Sequence, residues 1–332
     1  MRIVTLEEHF TVPELSGQID AEVIARRGWP RPGSPQATVM PQAELRDTGP
    51  TRIADMDASG ITVQVLSLAG PGADLLDPQH GVMLAREFNE RLGQIVREHP
   101  NRYAGFAHLP MTAPEAAADE LERTIRERKF KGALINGLTE GRFLDHASFE
   151  PLLARAEALD VPIYIHPNLP PEEVRKAYYD DLPLASGTML ARAGWGWHSE
   201  VAIHVLRMVL AGTFDRHPRL KVIIGHMGEG LPAMMDRCDD VLNRQTQSYL
   251  SRSVSQTILD QVWVTTSGMF SLTPFTALTM KFPVDRILFS VDYPFAGNAR
   301  GRAFLDSLPV SEADRKKIAH GNADALLKLE IT

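Results

Sequence analysis

Glu7 and His9 stand two residues apart at the end of a short, β-branched and apolar run, Ile3-Val4-Thr5-Leu6. Such a run reads as a buried strand. Side chains alternate along a strand, so Glu7 and His9 share one face and Glu8 takes the other. A carboxylate and an imidazole placed that way make half of a divalent-metal site. Taken alone, Leu6-Glu7-Glu8-His9-Phe10 is more simply an edge strand with solvated charges. Recurrence changes that reading: His166, His226 and Asp292 each close a later apolar run. Carboxylates and imidazoles in this mixture suit Zn²⁺ or Mn²⁺ and do not separate the two.

Five such side chains can meet only if the elements carrying them converge. Apolar runs alternate with helical patterns along the chain: strands at 61–68, 103–108, 132–136, 161–166, 220–226, 261–266 and 287–292 follow the first. Helices are expected at 52–58, 78–99, 113–128, 149–159, 199–211, 231–245 and 273–281, with three more, 301–307, 311–320 and 323–328, at the C-terminus. Eight buried strands with no change of composition predict one α/β domain over residues 1–332, a (β/α)8 TIM barrel with extra C-terminal helices. In that fold the C-terminal strand ends gather at one mouth, which is where Glu7, His9, His166, His226 and Asp292 fall. An open doubly wound sheet would bring a glycine-rich phosphate loop after its first strand, and Glu-Glu-His stands there instead. The segment 11–50, rich in Pro, Gly and polar residues around Arg26–Gly33, is a long insertion leaving the strand beside His9. It is expected to cover the mouth or to form a surface loop.

Composition narrows the function classes. The chain has 332 residues, 44% hydrophobic and 23% charged, with a net charge of −7. That balance gives no nucleic-acid footprint, and no apolar run approaches a membrane span. With the first strand starting at residue 3 there is no room for a signal peptide, so a cytoplasmic enzyme is expected. One cysteine, Cys238, rules out an internal disulfide and a thiolate cluster.

Four stretches carry a resemblance: Leu6–Phe10, Tyr164-Ile165-His166-Pro167, Gly225-His226-Met227-Gly228-Glu229-Gly230-Leu231-Pro232 and Ser290-Val291-Asp292-Tyr293-Pro294-Phe295. In order and over nearly the whole chain, they resemble the amidohydrolase-related metal-dependent decarboxylases. That group includes the γ-resorcylate, 2,3-dihydroxybenzoate, 5-carboxyvanillate and aminocarboxymuconate semialdehyde decarboxylases. The resemblance implies non-oxidative decarboxylation of a hydroxybenzoate-like or related unsaturated acid with one divalent ion and no organic cofactor. It implies Glu7, His9, His166 and Asp292 as metal ligands, His226 and Glu229 as a proton-relay pair, and Arg237 facing the substrate carboxylate. A homodimer or homotetramer is implied as well. The loop Gly137–Phe149 and the run Pro167-Asn168-Leu169-Pro170-Pro171 depart from the γ-resorcylate pattern, so the reaction class transfers better than any named acid.

Charge supports this chemistry. Two ligand carboxylates neutralise a divalent cation, so an incoming carboxylate-phenol needs another positive group. The planar fork of Arg237 matches a carboxylate, although apart from the resemblance an exposed helix salt bridge is the simpler reading. Asp292 is the expected proton donor to the ring carbon that loses CO2. Phe10, Phe295 and Trp29 are candidates for packing on an aromatic ring, and core filling suits them as well. Glu200 and His204, four apart on one helix, read as structural. The competing activity is a metal-dependent hydrolase of a lactone or amide, in which a metal-activated water attacks, His226 is the base and Asp292 steers the water.

Overall fold

The computed structural model describes residues 1–29, 31, 34 and 40–329. Its strands are β1 (Val4–Phe10), β2 (Val63–Leu68), β3 (Tyr103–Gly105), β4 (Ala133–Asn136), β5 (Pro162–His166), β6 (Lys221–Ile224), β7 (Val262–Thr265) and β8 (Ile287–Leu288). All pair in parallel and in chain order, as β1-β2-β3 and β4-β5-β6-β7-β8. The outer helices are α1 (Pro50–Ala58), α2 (Pro78–Glu98), α3 (Pro114–Arg128), α4 (Glu150–Leu159), α5 (Gly196–Leu210), α6 (Leu231–Thr246), α7 (Leu272–Lys281) and α8 (Asn298–Ser307). The fold is the (β/α)8 barrel.

Two seams close it. Between β3 and β4 a parallel bridge joins Ala107 to Ala133. Between β8 and β1 the His9 amide donates to the Tyr293 carbonyl at 2.7 Å. Strand β1 carries a bulge between Thr5 and Glu8, and the Leu6 and Glu7 amides it displaces both donate to Ser290 Oγ, at 3.1 and 2.7 Å. A bulge adds a residue and re-aims its neighbours. Here it sits directly under the site.

Two apolar layers hold the barrel. Val4, Leu6, Val65, Phe106, Leu134, Ile223 and Leu288 fill its interior. A larger layer between strands and helices includes Ile3, Phe10, Leu68, Phe88, Met208 and Phe289. Phe10 is 1% exposed in that second layer. It lies on the strand face opposite His9, which corrects its expected place against a substrate ring. The eighth strand is also shorter than expected. The Glu8 carboxylate takes over its backbone, accepting from Ser290 Oγ (3.0 Å), the Val291 amide (3.0 Å) and the Tyr293 amide (3.2 Å). Near the C-terminus the expected 311–320 helix divides into Glu312–Lys316 and a wide turn, Lys317–Gly321, before the helix Asn322–Leu327.

The insertion after β1 holds three short helices, Pro13–Ser16, Ala21–Arg26 and Gln42–Arg46. Of its central Arg26–Gly33 run, Pro30, Pro32 and Gly33 lie outside the described residues, as does the side chain of Arg26. Among the described residues no helix is long and apolar enough to cross a membrane.

Candidate active site

The strand ends deliver what their spacing promised. Ligand-type atoms of Glu7, His9 and His166 lie within 4.8 Å of one another. His9 Nε2 is 3.3 Å from Asp292 Oδ1, and His166 Nε2 is 3.4 Å from Glu7 Oε1. Among the described residues, Glu7 Oε1 and His9 Nε2 are buried without a hydrogen-bond partner. A buried unpaired carboxylate oxygen and imidazole nitrogen aimed at one centre carry a large desolvation cost that a cation relieves. The donor set fits a divalent ion; among the described residues His198, His226 and Glu229 form a second group within ligand reach of one another.

His9, Glu7 and Asp292 are held from behind, whereas His166 Nδ1 is buried without a hydrogen-bond partner among the described residues. His9 Nδ1 is 3.2 Å from Ser67 Oγ, its neighbour in the β1–β2 register. That contact leaves Nε2 facing the centre. Tyr164, two residues before His166 and so on the same strand face, donates its hydroxyl to Glu7 Oε2 in a very short hydrogen bond. Asp292 adopts φ 69°, a left-handed conformation that Asp tolerates better than most residues. The Glu8 clamp on residues 290–293 keeps it there. Behind the clamp, Arg52 of α1 donates to the His9 carbonyl and to Gln64, both at 2.7 Å, and lies over the Tyr293 ring.

After β6 the backbone does something unusual. His226, Met227, Gly228, Glu229 and Gly230 all have positive φ, between 49° and 84°. The three non-glycine residues each resist this by on the order of 1 kcal/mol. The coil turns the His226 and Glu229 side chains together, Nδ1 to Oε1 at 2.8 Å, ahead of α6. His226 Nε2 then points inward, 3.8 Å from both Glu7 Oε1 and Asp292 Oδ2. His198 of α5 approaches the other oxygen of Glu229, Nδ1 to Oε2 at 2.5 Å.

These environments set the charges. Burial, helped by neighbouring His9, pushes His166 down to about 3, so the ring is neutral and one nitrogen offers a lone pair. Burial alone would raise Asp292, but the imidazoles of His226 and His9 outweigh it and hold the carboxyl at about 2. Burial likewise works to raise Glu229, and His226 and His198 hold it at about 2. His226 itself resists charging because it is buried, yet the Glu229 and Glu7 carboxylates carry it well above the ordinary imidazole value.

The remaining expected residues scatter. Phe295 meets His9 edge-on, with ring centres 5.5 Å apart, and is 45% exposed. Arg237 is exposed on α6 and holds no hydrogen bond or ion pair among the described residues. Trp29 of the insertion lies 6.5 Å from Trp197, which lies 6.3 Å from His166. These three residues, with Pro71, Asp74 and Asn136, line a narrow cavity of about 30 Å³ beside the centre. Larger clefts of about 380 and 940 Å³ lie between the insertion and α2 and share no residue with the site. His108 and His204 are structural, their Nε2 atoms accepting from the Ala73 and Leu144 amides at 2.9 Å. Sequence reasoning missed the roles of Ser67, Tyr164, Trp197 and His198. The period of two along β5 would have flagged Tyr164.

A (β/α)8 barrel with carboxylates and imidazoles converging on one centre at its mouth defines a metalloenzyme of that fold. The amidohydrolase family model matches residues 9–329. The chain is 36% identical over 337 residues to a γ-resorcylate decarboxylase of Polaromonas sp. (strain JS666), covering 98% of each. It is 38% identical over 299 residues to decarboxylase orsB of Emericella nidulans, covering 87% of this chain and 88% of that one. A solved dihydroxybenzoic acid decarboxylase from Polaromonas sp. JS666, with bound manganese and the inhibitor 2-nitroresorcinol, superposes with a TM-score of 0.84. It is 33% identical, over 99% of this chain and 98% of that one. The chain belongs to the amidohydrolase family.

Proposed function

We propose that this chain is a metal-dependent, non-oxidative decarboxylase of a hydroxybenzoate-like acid, with Glu7, His9, His166 and Asp292 holding one divalent ion. The observation that carries the reading is the Glu229-braced His226 beside that centre. It places an imidazole next to a ligand carboxylate, an arrangement suited to delivering a proton to carbon. When bound, the ion supplies Lewis acidity toward the substrate's carboxylate and ortho-hydroxyl oxygens. Manganese in the solved relative supports Mn²⁺ as readily as Zn²⁺.

The protein's own groups handle the proton. Loss of CO2 leaves the electron pair of the broken C–C bond on the ring carbon, which must take up H⁺. Asp292 is ionised at rest, so it donates only after receiving a proton itself. His226, 3.8 Å from Asp292 Oδ2, is the group placed to provide it. Phe295 and Trp197 offer faces and edges to an aromatic ring. Arg237, exposed and unpaired early in α6, is the proposed partner of the substrate carboxylate.

The cavity of about 30 Å³ is far smaller than a site for an aromatic acid requires. Trp29 is the wall contributed by the insertion, which supports a mouth-covering role for that segment. The family resemblance supports a cytoplasmic homodimer or homotetramer without an organic cofactor. Asp292→Asn tests the donor role: turnover should fall at least about a hundredfold while Mn²⁺ is still bound. Near-normal turnover with metal in place would remove Asp292 from the mechanism.

A further inference from the structure

Two aspartates lie between β2 and α2, and only one of them has a structural task. Asp77 caps α2, its carboxylate accepting from the Gln79 and His80 amides at 3.1 and 3.2 Å. Asp74, in the short turn Ala73–Leu75, caps nothing. It is 6% exposed, and its Oδ1 is buried without a hydrogen-bond partner among the described residues. The imidazole beside it offers no hydrogen. His108 Nε2 lies 3.9 Å from Asp74 Oδ1, too far for a hydrogen bond. That nitrogen accepts from the Ala73 amide at 2.9 Å, so its lone pair is already committed. Burial lowers the proton affinity of His108, which keeps the ring neutral. A Cβ added at Gly72 would lie 2.5 Å from His108 Nε2 and 3.1 Å from Asp74 Oδ1, so the loop packs this closely only with glycine there.

Asp74 belongs to the wall of the narrow cavity beside the metal centre, which it shares with Asn136, His166, Asn168 and Trp197. Asn168 is spent within the protein, donating to the Asn136 carbonyl at 3.2 Å and accepting from the Leu169 amide at 2.8 Å. Trp197 Nε1, a donor, is buried without an acceptor among the described residues. A wall that holds an unpaired acceptor and an unpaired donor carries a desolvation cost with no return inside the protein. A hydroxyl answers both, with a hydrogen for the carboxylate and a lone pair for the indole. A cation is a poor match here, because the lone pair of His108 Nε2 beside Asp74 is taken by Ala73.

We propose that Asp74 is a specificity-determining residue, accepting a hydrogen bond from a second hydroxyl on the substrate ring, beyond the ortho-hydroxyl directed at the metal. The inference rests on the decarboxylase reading and narrows its substrate to acids carrying that second donor. A ring without it leaves the Asp74 carboxylate buried and unpaired beneath the substrate, and that penalty is the discrimination. The charge of Asp74 also orients the ring. It repels the substrate's own carboxylate from this end of the cavity and leaves the metal centre as its place.

Nitrophenols cannot lose CO2, so they report recognition apart from turnover. The test measures, by calorimetry on the Mn²⁺-loaded protein, the dissociation constants of 2-nitrophenol and of four nitro-diols: 2-nitroresorcinol, 4-nitroresorcinol, 3-nitrocatechol and nitrohydroquinone. At least one diol should bind at least about tenfold tighter than 2-nitrophenol. In Asp74→Ala that ratio should fall to within about twofold. No diol so favoured, or a preference that survives in Asp74→Ala, would overturn the proposal. Stability gives a second reading that needs no ligand. Removing an unpaired buried carboxylate breaks no hydrogen bond, so Asp74→Asn should melt no lower than the wild-type protein. A fall in Tm of more than about 3 °C would reveal a structural carboxylate and overturn the proposal as well. Failure of the decarboxylase reading has a different signature: the diols would bind with the Asp74-dependent preference, yet no dihydroxybenzoate would release CO2.

Discussion

Tyr164→Phe removes one oxygen from the barrel interior and should weaken metal binding without touching a ligand. The hydroxyl donates to Glu7 Oε2 and is also 3.0 Å from Thr265 Oγ1 and 3.4 Å from Ser267 Oγ. Burial raises the proton affinity of Glu7; a hydroxyl donating to the ionised carboxylate works against that. Without it Glu7 holds a proton more tightly, and a metal ion must displace that proton. Ser267 also lowers the proton affinity of Glu7 through a hydrogen bond, but it lies 2.5 Å from Thr265 Oγ1, and a Cβ added at Gly225 would come within 2.7 Å of Glu7 Oε2, so the space for a replacement donor is tight. A hydrogen bond to a charged acceptor contributes about 1.5–3 kcal/mol, which is roughly ten- to hundredfold in affinity. The assay is Mn²⁺ titration of dialysed protein against a competing chelator, with turnover then measured at saturating metal. Affinity should fall by that factor and kcat at saturation should fall much less. A dissociation constant within twofold of wild type would refute the claim that Tyr164 tunes Glu7.

Other substitutions probe the site from different sides. His9→Ala removes a ligand whose Nε2 lies 3.3 Å from Asp292; metal content by elemental analysis and activity should both be lost, and retention of both would defeat the assignment. Shortening the 11–50 insertion, or replacing Trp29 with Ala, takes away a wall of the narrow cavity; KM should rise several-fold, and unchanged steady-state constants would make the segment a surface excursion. Arg237→Ala should cost on the order of 2 kcal/mol, roughly thirtyfold in kcat/KM, with metal content unchanged and Arg237→Lys only a partial rescue. Loss of no more than about twofold would return Arg237 to the solvated surface.

The barrel was readable because the strands are buried and, except for β3, carry apolar β-branched residues, and each helix is bounded by Pro, Gly or a polar cap. The site was readable to the depth that period-two alternation reaches. Glu7 and His9 share a face because a strand makes them do so, and the His226–Glu229 pair is what the family resemblance of the octapeptide implies. What stayed hidden depends on register and on backbone outside the regular elements. Ser67 meets His9 only because β1 and β2 align them. Glu8 looked like the wasted residue of the motif, yet it shortens β8 and fixes Asp292. Phe10 reads as an aromatic beside a ligand, but alternation turns it into the core. His198 reaches Glu229 across a break at 192–195 that no local pattern announces. The structural reading of the Glu200–His204 face fits His204, which accepts from the Leu144 amide.

The central claim is tested most directly by incubating the Mn²⁺-loaded protein with a panel of ortho-hydroxybenzoates and measuring CO2 released together with the decarboxylated phenol. Stoichiometric CO2 and phenol, abolished by chelation and restored by Mn²⁺ or Zn²⁺, is the predicted result. Base uptake with lactones or amides, and no CO2 from any hydroxybenzoate, would contradict the account and assign the same centre to hydrolysis.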